Sequence, residues 1–179
     1  MDNSVFYSAI SAWGSWAAVL CALLIVWLQN RSAKSLTCLQ LFIQLAAQYD
    51  SGEMQKIRGR LASKLLKTPD AVDLEDSLLV FYENLAILVR RRLLDTDLVW
   101  NTFSIDVRCY WLALKHFVEQ TRVEYSDQTI FEEFEALHKH FAQSKHSPLG
   151  TLQRPTAFTP EEIHHFLRNE ARRGTDERA

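Results

Sequence analysis

Three carboxylate and histidine pairs are the residues best spaced for chemistry: Glu135 with His138, Glu161 with His164, and Glu162 with His165. Residues three apart share a helix face, so each pair can turn an oxygen and an imidazole nitrogen toward one point. A helical di-iron centre needs two such pairs and two further inward glutamates. Glu83 and Glu119 are the available extras, and two of the pairs lie on a short, peripheral C-terminal helix. Solvated or locally paired side chains are the stronger reading, and the same holds for His138, His140 and His146 as ligands.

Other reactive constellations are weaker. Cys109 follows Arg108, but no base stands at a defined spacing, and its neighbours Tyr110 and Trp111 favour packing. Five glycines form no phosphate-cradling loop. No catalytic, cofactor-binding or metal-ligating residue is assigned and no cofactor is expected. A membrane-associated enzyme or metal-binding helical protein stays as the alternative function. A formal net charge of −2 gives no reason to expect a nucleic-acid partner.

The remaining candidates are structural or interaction residues. Glu83 and Asn84 sit beside an apolar seam, where a buried carboxylate would need a donor such as Arg108 or Arg122; plain exposure and a ligand role are the other readings. Arg90, Arg91 and Arg92 fit a solvated helix end or a site for an acidic partner, phosphate or lipid. Trp100 and Trp111 enlarge the apolar side of the next helix.

These residues need helices to position them, and the spacing predicts several. Leu74, Leu78, Phe81, Leu85 and Leu88 recur at four, three, four and three residues; Val99, Phe103, Val107, Tyr110, Leu114 and Phe117 repeat the seam after Asp95, an N-cap. Asp50 and Glu53 open a basic helix reaching about Lys67, and Ser126 or Asp127 caps one carrying Phe134, Leu137 and Phe141. Ser144 to Phe158 reads as a linker. Thr159, Pro160 and Glu162 then form a capping box. Three dispersed cysteines fit reduced packing residues better than a disulfide framework.

Ahead of the bundle, Val5 to Leu28 runs without a formal charge, Pro, Asn or Gln. As a helix it reaches about 36 Å, enough for an apolar layer of about 30 Å. The expected fold is therefore all-α: a single N-terminal transmembrane helix (residues 1–30), a small cytosolic helical bundle (31–145), and a linker with a short C-terminal helix (146–179). Asp2 before the run and Arg31 and Lys34 after it place the N-terminus outside and the bundle in the cytoplasm, at a bacterial inner membrane or plasma membrane. The lipid bilayer is the first expected partner, with anionic headgroups contacting the basic stretch 31–67. Gly14, Ala18 and Ala22, four residues apart, allow close helix packing in a homodimer as well as an ordinary anchor.

Phe81 to Ser104 (FYENLAILVRRRLLDTDLVWNTFS), with Tyr110 and Trp111 following, resembles the bacterial family called domain of unknown function 4760. The resemblance spans Arg31 to Phe141 and is sharpest from Glu83 to Val89, then at Leu94, Asp95, Trp100 and Trp111. It implies a membrane helix followed by a small helical domain, and no reaction. The leading functional expectation is a membrane-tethered interaction or regulatory module with an unidentified cytosolic protein partner.

Overall fold

Helices account for nearly all of the computed structural model, which describes residues 24–27, 29, 36–67, 77–143 and 157–176. They are α1 (residues 36–49), α2 (Gly52–Lys67), α3 (Ser77–Arg90), α4 (Thr96–Glu124), α5 (Glu132–Gln143) and α6 (Pro160–Asp176). The all-α bundle expected from the seams is thus the observed fold. The chain divides into two compact units, Met1–Leu41 and Phe42–Ala179, and the second contains every site described below.

Local chemistry sets the helix ends. Ser51, rather than Asp50, caps α2, its hydroxyl accepting the Met54 N–H at 3.2 Å. Asp95 caps α4 as expected, with Oδ1 2.9 Å from the N–H groups of both Asp97 and Leu98. The arginine triplet closes α3: Leu93 N–H returns to Leu88 O and Arg92 N–H to Val89 O, both at 2.9 Å, while Arg92 takes φ 55°. This is a Schellman ending with arginine in the left-handed position that glycine fills most easily. α4 ends in the same way, with Ser126 at φ 51°.

Packing follows the seams. Leu78, Phe81, Leu85, Val99, Phe103, Val107, Tyr110 and Leu114 are buried, as are Phe134 and Phe141 from α5. Tyr82 stacks on Phe134 with ring centroids 4.9 Å apart, and Trp111 meets the same ring edge-on at 5.2 Å. Each buried aliphatic or aromatic side chain contributes on the order of 1.5–3 kcal/mol, so this shared core is the main attachment of α3, α4 and α5 to one another.

The transmembrane helix does not stand. Among the described residues no helix is long and apolar enough to cross a membrane. Of Val5 to Leu28, only residues 24–27 are described, as helix with exposed side chains; the rest of the run lies outside the described residues, as do Gly14, Ala18 and Ala22. Length and hydropathy of a sequence run permit a spanning helix without requiring one. The single-pass arrangement, its orientation, the membrane localisation, the bilayer as partner and the membrane-tethered interaction or regulatory module built on them are accordingly withdrawn. Lipid contact through 31–67 also loses support where α2 is concerned, because Met54, Ile57, Arg58, Leu61 and Leu65 turn one face of that helix into the protein.

α6 is more firmly placed than a peripheral helix would be. Its capping box forms as expected: Thr159 N–H donates to Glu162 Oε2 at 2.8 Å and Glu162 N–H to Thr159 Oγ1 at 3.2 Å. The helix crosses α2 so closely that a Cβ on Gly59 would lie 2.6 Å from Gly174 Cα. No side chain fits at that crossing.

Candidate functional site

Two polar constellations stand out, one open and one closed. The open one begins with Glu83, whose role is set by the start of α5. Phe131, at φ 55°, precedes this helix and supplies no capping oxygen from its side chain. Asp127, expected as a cap, instead accepts from Thr129 N–H and Oγ1 at 2.8 and 2.7 Å. Glu83 of α3 reaches across and accepts the N–H groups of Glu133 and Phe134 at 3.3 and 2.8 Å. A side chain distant in sequence thereby caps α5. Burial pushes the Glu83 carboxyl upward against the pull of these two donors.

One helical turn after Glu133 on α5, and beside it on α3, a groove of about 230 Å³ opens. Its apolar wall comes from Ala86 and Val89 of α3 and Ala136 and Leu137 of α5. At its rim Arg90 Nε contacts Glu133 Oε2 at 2.9 Å; the arginine side chain is 62% exposed and the glutamate side chain 10%. The carboxylate steadies one edge of the guanidinium while the other faces solvent. Arg91 and Arg92 are exposed beside it on the Schellman turn.

The other sequence candidates fall elsewhere. Asn84 is exposed, whereas Trp100 and Trp111 are buried. Arg108 is buried with its guanidinium 4.5 Å from the Phe158 ring centroid. Arg122 serves α5, donating to Ile130 O at 2.9 Å and to Glu135 Oε2 at 2.7 Å. Cys109 is buried, which pushes its thiol up to about 12 and makes it a poor nucleophile.

The carboxylate and histidine pairs do not assemble a metal centre. Glu135 is engaged by Lys139 at 2.6 Å as well as by Arg122, and hydrogen bonding to Lys139 leads the effects that hold its carboxyl below the usual range. His138 stacks on Trp111, and burial together with the Arg108 charge pushes its imidazole down to about 4. Glu162 is the α6 cap. Among the described residues no group of three His, Cys, Asp or Glu is placed to hold a metal ion, so the metal-protein alternative is withdrawn.

The closed constellation joins α2, α4 and α6, with α1 and α3 at its edge. Glu170 of α6 is buried; its Oε2 accepts from Tyr110 Oη at 3.0 Å and lies 3.3 Å from Arg58 Nη1, while its Oε1 accepts from Arg173 Nη1 at 3.1 Å. Arg58 lies over the Tyr49 ring, 3.9 Å from its centroid, and the Tyr49 hydroxyl is 3.0 Å from that of Tyr82. Burial raises the pKa of all three phenols. Half-buried Asp106 is pushed up to about 6, first by desolvation and next by Glu170, against Arg58, a Tyr49 hydrogen bond and Arg173. Sequence spacing missed this group, although Ile163, Phe166, Leu167, Glu170 and Gly174 do mark one face of α6.

No curated protein and no solved structure matches the chain. A family model does match, over residues 9–141, a span that holds the α3–α5 groove and the Arg58, Asp106 and Tyr110 side of the closed cluster but stops before α6. By that match, which covers most of its length, the chain belongs to the family described as Domain of unknown function (DUF4760).

Proposed function

We propose that the α3–α5 groove binds a small amphipathic carboxylic acid. The observation that carries this reading is the apolar opening of about 230 Å³ with the Arg90 guanidinium fixed at its rim by Glu133. A short aliphatic or aromatic body suits Ala86, Val89, Ala136 and Leu137, and the volume lies below the roughly 300–1,000 Å³ of sites that hold drug-sized ligands. A carboxylate suits the outer edge of Arg90, where paired N–H groups match two oxygens. Arg91 and Arg92 add positive potential beside it without entering the groove, and Glu133 acts by holding Arg90 in place.

Calorimetric titration with hexanoate, hexanamide and hexylamine tests the reading. These probes share an unbranched aliphatic tail, of five carbons in hexanoate and hexanamide and six in hexylamine, and differ in the charge of the head. Hexanoate is expected to bind with Kd on the order of 0.1–1 mM, since a ligand of this size has few atoms to contribute. Hexanamide binds more weakly and hexylamine most weakly. Ala136→Leu, which adds bulk at an exposed groove position, reduces hexanoate binding while leaving the helical content unchanged. Equal binding of the three probes, or unaltered hexanoate binding in Ala136→Leu, contradicts the assignment.

A further inference from the structure

The α3–α5 groove has a second polar end. Glu133, Ala136, Leu137 and His140 follow one another on a single face of α5, and all four line the groove. Seven residues of helical rise separate Glu133 from His140, which puts about 10 Å between them along the axis. Both side chains leave the helix tilted toward its N-terminus, so this spacing carries over to the groove. Arg90 Nε is fixed at Glu133 Oε2, and the imidazole therefore stands at the opposite end of the apolar wall that Ala136 and Leu137 form on α5.

Thr96 joins His140 in the lining. It is the first residue of α4, a few residues beyond the Schellman turn that ends α3, and it is half-buried while His140 is exposed. A hydroxyl both donates and accepts, and an imidazole presents a donor or an acceptor according to its tautomer. The ligand group that answers both, whichever role each takes, is another hydroxyl. A second carboxylate is served less well. His140 lies in the last turn of α5, where the helix dipole turns its negative end outward. The α4 amides that would draw an anion, those of Asp97 and Leu98, are already held at 2.9 Å by Asp95 Oδ1, which brings a negative charge of its own.

With the groove as the ligand site, a reading on which this rests, we propose that its ligand is an ω-hydroxy carboxylic acid of about six carbons, a length suited to the span between Glu133 and His140. The carboxylate meets Arg90, the chain lies against Val89, Ala136 and Leu137, and the terminal hydroxyl meets His140 and Thr96. Anchoring at both ends fixes the direction of the ligand in the groove. The two groups at the far end act as specificity determinants, because a plain fatty acid leaves them facing a methyl group.

Calorimetric titration of the full chain with hexanoate, 6-hydroxyhexanoate and adipate, repeated on His140→Phe and Thr96→Val, tests the proposal. 6-Hydroxyhexanoate binds about three- to tenfold more tightly than hexanoate, the gain of roughly one net hydrogen bond, and adipate binds more weakly than 6-hydroxyhexanoate. His140→Phe keeps a flat ring at an exposed position, and Thr96→Val keeps the branched shape. Each variant brings the preference for the hydroxyl below about twofold and leaves hexanoate binding within about twofold of the unaltered chain. Absence of binding by both hexanoate and 6-hydroxyhexanoate overturns the groove as a ligand site, and this proposal with it. Hexanoate binding that the hydroxyl does not strengthen, a preference that survives in both variants, or adipate binding as tightly as 6-hydroxyhexanoate overturns the hydroxy-acid assignment alone.

Discussion

Arg90 with Glu133 and Arg58 with Glu170 are the same chemical pair in two settings. The first lies at the rim of the α3–α5 groove, with the arginine side chain 62% exposed; the second lies between α2 and α6, with both side chains no more than 5% exposed. At the rim, water and salt screen the attraction, and the pair adds at most about 1 kcal/mol to stability. What it offers is a cation held in place with part of its surface free. In the interior both charges have lost water, and each depends on the other. The difference shows how surroundings divide one interaction into a ligand handle and a lock.

The largest expected effect breaks the buried member. Arg58→Met strands the Glu170 charge and lowers stability by about 3–5 kcal/mol, measured by denaturant unfolding; Arg58→Met with Glu170→Leu recovers a substantial part of it. Arg90→Met at the rim costs about 1 kcal/mol or less in the same measurement. Equal costs for the two arginines would remove the distinction between the sites.

Asp106 sharpens the comparison through pH. Its folded pKa of about 6 lies above the ordinary value of 3.8, so the folded state favours the protonated form. That stabilisation is fully present below the ordinary value and is lost as pH rises through about 6. Folding stability, measured by denaturant unfolding, therefore increases from pH 7.5 to pH 5, by about 1 kcal/mol or less once screening of this half-buried group is allowed for. Asp106→Asn removes that dependence.

Smaller effects belong to the groove's scaffold. Glu83→Ala uncaps α5 and costs about 1 kcal/mol, visible in the unfolding midpoint and in faster exchange at the Glu133 and Phe134 amides. Arg92→Gly relieves the left-handed backbone at the end of α3 and stabilises by about 0.5–1 kcal/mol, less the entropy glycine adds to the unfolded chain.

Short-range structure was readable in the amino-acid order because it depends on residues within a turn of one another. The α3 seam from Leu78 onward, the α4 seam, the Asp95 cap and the Thr159–Glu162 box all have this character, and all are present; Leu74 lies outside the described residues. The candidate site was less legible. Glu83 was singled out as a carboxylate in need of a donor, but its donors are backbone N–H groups some fifty residues away, which no side-chain pattern marks. Arg90 was noted within a triplet, yet only the fold separates it, bound to Glu133, from Arg91 and Arg92. The Glu170 cluster required α2, α4 and α6 to meet before its charges had meaning. The apolar run from Val5 to Leu28 misled for a related reason: hydropathy records what a segment tolerates around it, not which surroundings it has.

The central claim, that the α3–α5 groove is the ligand site, is met most directly by methyl-resolved NMR of the full chain titrated with hexanoate. The account predicts saturable shifts and intermolecular contacts confined to the methyls of Ala86, Val89, Ala136 and Leu137, with the Arg90 side-chain N–H signals moving in step. Shifts centred on any other part of the molecule, or no saturable shift at millimolar hexanoate, would contradict it.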